Sequence, residues 1–341
     1  VDTAPRRILV IQLRRIGDVL LTTPALRALR ASFPGARLDF LVEKPSDQAL
    51  RGNPDISEIL VYSKKDHLRW LGEIRGRGYD WVIDYLGTPR SMLMAAVSGA
   101  RLRAGPEGVF WRFGYTDMMK RGQTPAYAAV EKVRMLSPFG VRQDLPDVLP
   151  SIAIPPELAA ESRDFLKNAG LKTARGGKPP VIALAPESRK PARRYPPEGW
   201  ARVAKALAEK TGGTVFVTFG PGEKPTAERI CALAGTGARL APEFRDLRGL
   251  AAFFSLCDLV LANCNGPKHI AVAAGTPTLT VHGSSNPACW TPQGYPQHRY
   301  VRLETLPCIG CGKNECPRGL ECMAALPPDR IAEEALTILR L

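Results

Sequence analysis

The chain has 341 residues, 45% of them hydrophobic and 23% charged, with Lys and Arg outnumbering Asp and Glu by 47 to 33 for a net charge of +14. That length suits two domains of ordinary size, each with its own core, and no run approaches the ~20 uninterrupted apolar residues of a membrane helix. Excess cations favour nucleic acid, phosphorylated small molecules or an anionic membrane surface; the basic residues are scattered without a zinc-finger or RNA-recognition pattern, so nucleic acid is set aside.

The opening "VDTAPRRILVIQL" enters a strand pattern directly and without a secretory leader, which predicts a cytoplasmic protein. "RRILVIQL" reads as a buried strand, and Leu20, Leu21, Ala25, Leu26 and Leu29 at helical spacing predict one helix from about Val19 to Phe33. The bridge between them, "RRIGD", carries Arg14, Arg15, Gly17 and Asp18. A strand-to-helix loop is where α/β proteins place chemistry. Position alone leaves two readings of Asp18 open: a helix cap or a general base. "RLDFLVE", "ISEILVY" and "DWVIDYL" predict further strands, with a helix in "DHLRWLGEIRGRG". Apolar runs of that length between helices argue for a parallel sheet covered on both faces. Asp84 and Arg90 flank "YLGTP" after the last of these strands and are candidate acceptor contacts.

"VRQDLPDVLPSIAIPPELAAES" and "KTARGGKPP" are rich in proline and glycine, which places a linker at about 145–178 between a domain at 1–165 and a second at 178–325. The alternation then restarts with "VIALAPES", the helix "PPEGWARVAKALAEKTG" opened by proline and closed near Gly212, "TVFVTFGPGE", "CDLVLANCNGPKHIAVAAG" and "TPTLTVHGSS". "PPDRIAEEALTILRL" predicts a final amphipathic helix at 328–341. The expected architecture is α/β: two facing Rossmann-like, doubly wound domains with a cleft between them.

Three loops of the second half follow strands and share one chemistry. "APESRKPARRYP" brings Ser188, Arg189, Lys190, Arg193 and Arg194; "FGPGE" offers two glycines and Glu223; "NCNGPKH" sets Asn265, Gly266, Pro267, Lys268 and His269 at a helix start. Cations, a glycine turn and a helix N-terminus suit a diphosphate, and Glu223 suits a ribose hydroxyl pair. Each loop alone is more often a plain turn or a solvated face, and a hydrogen-bonded structural residue is the commoner role for a histidine like His269. Neither G-x-G-x-x-G in its dinucleotide setting nor a P-loop is present, so hydride transfer and ATPase chemistry are set aside. Of the eight cysteines, Cys308, Cys311, Cys316 and Cys322 form C-x2-C-x4-C-x5-C, a set that can hold zinc or serve only as a loop tether; no metal is committed.

The opening "RILVIQLRRIGDVLLTTPALRALRASFPGARLDFLV", then "DWVIDYLGTPRS", "RRYPPEGWARVAKAL", "FGPGE" and "NGPKHIAVAAGTPTLTVHG", in that order, resemble glycosyltransferase family 9, the ADP-heptose:lipopolysaccharide heptosyltransferases. The resemblance implies the GT-B architecture, with the acceptor on the first half and the nucleotide-sugar on the second, and a final helix that returns to the first half. It implies inverting transfer of a heptose from an ADP-sugar, a substrate rather than a cofactor, to the lipopolysaccharide inner core. Carried over by position, Asp18 matches the family's general base, Arg193 a basic residue beside the donor diphosphate, Glu223 the ribose-binding acid, and Gly266, Pro267 and His269 the turn under the phosphates. The partners implied are a nucleotide-sugar and an anionic lipid-linked saccharide, met at the cytoplasmic face of the inner membrane through peripheral contact. Members read Asp-Thr-Gly or Asp-Ser-Gly where this chain has Cys264, Asn265 and Gly266. That departure keeps a second reading open, a relative that binds a nucleotide-sugar with altered specificity or without transfer.

Overall fold

A computed structural model of the protein describes residues 4–176 and 178–340; Val1, Asp2, Thr3, Gly177 and Leu341, which fall within the predicted domain, linker and final-helix ranges, lie outside the described residues. The chain divides into two compact units, Val1–Ala153 and Ile154–Leu341.

The first unit is built on a parallel sheet of β1 (Arg7–Ile11), β2 (Arg37–Glu43), β3 (Glu58–Tyr62), β4 (Trp81–Asp84), β5 (Leu102–Pro106) and β6 (Asp117–Met119) in the order 3-2-1-4-5-6. Registers such as Val10 opposite Phe40 and Ile83 fix the central strands side by side. Apolar residues on alternate positions feed both faces. Ile8, Val10, Phe40 and Ile83 pack against the helix Thr23–Ser32, while Leu9, Ile11, Leu41 and Val82 face the opposite layer. Burial on both faces explains why these strands read as continuous apolar runs.

The second unit repeats the plan. Its strands β7 (Val181–Ala185), β8 (Thr214–Val217), β9 (Arg239–Leu240), β10 (Leu259–Asn263), β11 (Thr278–Val281) and β12 (His298–Val301) lie in the order 12-11-10-7-8-9, all parallel. Counted from β7, that is again 3-2-1-4-5-6. The helix Pro197–Thr211 opens with proline and ends where Gly212 turns left-handed at φ 66°, and it buries Trp200, Val203, Ala204 and Leu207 on the sheet. Helix Pro156–Asn168 belongs here as well, because Phe165 packs against Phe216 and Phe253 at 5.4 and 6.0 Å between ring centres.

Several expectations are corrected. The helix predicted from Val19 to Phe33 is two helices, Ile16–Leu20 and Thr23–Ser32. Pro24 has no N–H to give to Leu20 and its ring would meet that carbonyl, so the first helix stops and a new one starts. The first unit ends at Ala153 rather than 165, since the Phe165 ring contacts assign the following helix to the second core. The closing helix, expected to return to the first half, spans Pro328–Ile338 and belongs to the second unit. Ile331, Ala332, Ala335 and Ile338 are buried in the core of the second unit, beside Leu207 and Val301. Strands β5, β6, β9 and β12 were not expected. They are short or interrupted by Arg, Gly and Pro, and the sheet rather than their own sequence holds them extended.

Candidate active site

Doubly wound sheets open a crevice at the carboxyl ends of the strands where the strand order reverses. In the first unit the reversal lies between β1 and β4, and in the second between β7 and β10. The chemically promising loops of the sequence follow these four strands, except the Glu223 loop, which follows β8.

After β1, Arg14 and Arg15 are exposed and Asp18 is half-buried at the third position of the helix Ile16–Leu20. Its Oδ2 accepts a long hydrogen bond, 3.4 Å, from the Arg15 backbone N–H. Asp18 therefore caps its helix only weakly, and its carboxylate stays partly open to solvent. Gly17 is buried beneath it. The loop is braced from behind. The Lys132 ammonium donates to Gln12 Oε1 at 2.7 Å, and Gln12 Nε2 donates to the Arg14 carbonyl at 2.7 Å. Lys132 also lies 4.2 Å above the Tyr85 ring, whose hydroxyl donates to the Lys132 carbonyl at 2.8 Å. Burial pushes the Lys132 pKa down to about 8, opposed by the charges of Asp18 and Asp84 and reinforced by Arg121. Sequence reasoning missed Lys132. The signal was present, a lysine at the i+3 position from Ala129 and beside Val133 on the buried face of helix Ala128–Arg134.

Asp84, a candidate acceptor contact, has no exposed surface. Its side chain is fully buried; Oδ1 accepts from the backbone of Leu86 and Gly87 at 2.8 and 3.2 Å, and Oδ2 from the Tyr115 hydroxyl at 2.6 Å. Burial raises its pKa and these donors oppose the rise. Asp84 knots the loop after β4, so its role is structural. Arg90, half-buried at the start of helix Pro89–Val97, carries its charge close enough to Tyr62 and His67 to influence both.

In the second unit, Arg193 follows β7 and Cys264 follows β10. The Arg193 Nη1 lies 3.8 Å from the buried Cys264 Sγ. Arg193 Nε, the Nδ1 of buried His269 and the Oγ of buried Ser284 have no hydrogen-bond partner among the described residues. Buried polar atoms without a protein partner are groups that a water, an ion or a ligand can satisfy. Burial, then the charges of Lys268, His282 and Arg193, push the His269 pKa well down, so the ring is neutral. His282, also missed by sequence reasoning, is buried and neutral, bonded to Ser285 Oγ at 2.8 Å and Thr291 Oγ1 at 3.1 Å.

The helix start at Gly266 is leaner than expected. Pro267 has no N–H, and Asn265 Oδ1 already accepts from Lys268 N at 2.9 Å, so Gly266 is the remaining amide of the first three. Asn265 Nδ2 donates to the Ala185 and Glu187 carbonyls at 3.2 and 2.6 Å, a seam between the β7 and β10 loops. The Lys268 ammonium turns inward to the Trp290 carbonyl, and burial lowers its pKa to about 8. Ser188 is buried and its Oγ accepts from Lys190 N at 3.3 Å; Glu223 closes its own loop by accepting from Gly220 N at 2.8 Å. Arg193 and His269 are thus the groups best placed to meet an anion here.

Cys308, Cys311, Cys316 and Cys322 are free thiols, and burial followed by the charges of the other three raises the Cys322 pKa. Among the described residues no three His, Cys, Asp or Glu side chains stand together as a metal site. Their segment does hold loops in place: Gly310 N and Gly312 N donate to the Gly283 and Ser284 carbonyls at 3.0 and 2.6 Å, and Ala192 N donates to the Asn314 carbonyl at 3.0 Å. The cysteine-bearing segment therefore buttresses the Arg193 loop.

Comparison with known proteins agrees with this plan. The profile of glycosyltransferase family 9 (heptosyltransferase) matches residues 68–320. The chain belongs to that family. It is 24% identical over 328 residues to lipopolysaccharide heptosyltransferase 1 of Pseudomonas aeruginosa, covering 91% of this chain and 87% of the relative. In structure it is similar to the glycosyl transferase family 9 protein of Veillonella parvula, with a TM-score of 0.83, 24% identity and coverage of 98% and 97% of the two chains. It is also similar to the E. coli heptosyltransferase WaaC solved with ADP-2-deoxy-2-fluoro heptose, with a TM-score of 0.71, 21% identity and coverage of 96% and 99%.

Proposed function

We propose that the protein is an inverting glycosyltransferase that moves a heptose or related sugar from an ADP-sugar to the lipopolysaccharide inner core or a similar bacterial surface glycan. The observation that carries this reading is the pairing of Arg193 with buried His269 at the strand-order reversal of the second unit, where Arg193 Nε and His269 Nδ1 have no partner among the described residues and can bond an anion. The similar WaaC enzyme was solved with an ADP-sugar analogue, which supports a nucleotide-sugar as that anion. Asp18 is the base: it takes the proton of the acceptor hydroxyl as that oxygen bonds to the anomeric carbon and the C–O bond to the diphosphate breaks. Arg193 meets the charge that develops on the leaving diphosphate, and neutral His269 contributes a hydrogen bond. Glu223 takes the ribose once the donor displaces its contact with Gly220. Arg14 and Arg15, exposed beside Asp18, receive an acidic acceptor. No cofactor is required for these steps, and the protein works at the cytoplasmic face of the inner membrane.

The test is a panel of nucleotides and nucleotide-sugars scored by thermal shift, followed by turnover. ADP and ADP-sugars raise the melting temperature of the wild type and of Asp18→Asn, while Arg193→Ala loses the shift. Asp18→Asn lowers kcat by at least about a hundredfold; unchanged turnover removes Asp18 as the base. A second reading, a relative that binds donor without transferring sugar, is favoured only by Cys264 standing beside Arg193 in place of the family carboxylate. Strong donor shifts with no turnover on any lipopolysaccharide core acceptor select it.

A further inference from the structure

Large apolar side chains exposed in the described residues are few, and three of them fall within four positions, Phe110 at 86%, Trp111 at 37% and Phe113 at 79%. They sit on the loop joining β5 to β6, with exposed Arg112 between the last two. Leu93, 39% exposed, lies on the helix that packs against this loop.

The loop is not loose. Arg103 Nε donates to the Gly114 carbonyl at 3.0 Å and Arg103 Nη1 to Ala100 at 2.7 Å. Gly114 lies so close to Met92 that a Cβ there would stand 2.1 Å from its sulfur. Tyr115, the next residue, is tied to Asp84, and Phe110 and Trp111 meet edge to face at 5.4 Å. A braced loop that holds two phenylalanines in water gains nothing for folding from those side chains, because apolar surface stabilises only when it leaves water.

We propose that Phe110, Trp111 and Phe113 form a membrane-docking loop that enters the interface of an anionic lipid bilayer. The charge fits that occupant: between residues 101 and 121 five basic residues stand against two acidic ones, and Arg112, Lys120 and Arg121 are exposed. Aromatic rings with neighbouring Arg and Lys are the composition that settles at the headgroup boundary, the rings in the acyl edge and the cations on anionic lipid. The loop hangs on Asp84, at the same sheet edge that carries Asp18. Docking through it therefore brings the carboxylate of the first unit near the bilayer surface, where a lipid-linked acceptor resides. That purpose rests on the proposed function; the docking chemistry does not.

The experiment is co-sedimentation of the purified full chain with vesicles of phosphatidylethanolamine and phosphatidylglycerol, compared with phosphatidylcholine alone. The wild type binds the anionic vesicles and less so at high salt, and Phe110→Ser/Phe113→Ser lowers the partition at least tenfold with melting temperature unchanged. A Phe110→Trp variant adds tryptophan fluorescence that brominated lipid quenches. Wild-type binding retained by the double serine variant, absence of vesicle binding by the wild type, or loss only of self-association in sedimentation each overturns the proposal. Failure of the Asp18 and nucleotide tests leaves these outcomes unaffected, so the two readings fall separately.

Discussion

Lys132 shows how much one residue can hold in place. Its ammonium fixes Gln12, and Gln12 fixes the carbonyl of Arg14, three residues after the strand end and four before Asp18. A lysine held down at about 8 while the unfolded chain titrates at 10.5 costs stability at neutral pH, and that cost is relieved as pH rises from about 8 to 10.5, where only the unfolded chain still binds the proton. The span amounts to roughly 3 kcal/mol. Lys132→Met removes this share, so the variant gains less stability than the wild type between pH 8 and 10 in urea titrations. It also lowers kcat more than it changes donor affinity, because the Asp18 loop loses its brace; an unchanged kcat rules out that positioning role. Asp84 teaches the opposite lesson. A carboxylate flanking a promising loop turned out to knot that loop, since three donors converge on it in a site closed to water.

At the scale of elements, the strands that were legible are mostly those buried on both faces, with half-buried β3 an exception, and the helices those marked by a proline near the start or a glycine near the stop. β1, β2, β4, β7 and β10 are continuous apolar runs, which a one-sided sheet would not require. β5, β6, β9 and β12 carry no such run, whereas β3, although an edge strand, was legible from Ile59 to Tyr62. The last helix was legible as amphipathic, but its apolar stripe of Ile331, Ala335 and Ile338 says only that it packs, not against which surface. Packing beside Leu207 and Val301 makes it part of the second core. Ile331→Ala therefore destabilises the second unit by about 2–4 kcal/mol, read by chemical denaturation with a probe in that unit; a cost below about 0.5 kcal/mol would place the helix elsewhere.

For the molecule as a whole, repetition of one strand order in both units explains why the chemistry sits where it does. Each reversal of strand order opens a crevice, and each receives a loop from a central strand on either side. Placing neutral histidines in the second crevice has a cost in acid. His269 and His282 stay unprotonated in the fold well below their ordinary value of 6.5, while the unfolded chain takes up protons there. Unfolding is therefore favoured increasingly as pH drops below about 6.5. Melting temperature declines from pH 7 to 5.5, and, if the proposed donor site is right, added ADP offsets part of the decline. A flat profile over that range contradicts the buried neutral state.

The sequence by itself determined the fold class, the two-unit plan and the family, because those follow from the period of apolar residues, the placement of Pro and Gly, and local motifs. Only the tertiary structure decided which polar groups in the candidate loops are already partnered. Asp84, Asn265 and Lys268 meet their partners from other loops and strands. Hydrogen bonding between segments distant in sequence depends on where the sheet brings their ends. Exposure obeys the same rule: nothing in the sequence around Phe110 and Phe113 marks them as exposed, and only the packed loop leaves them in water.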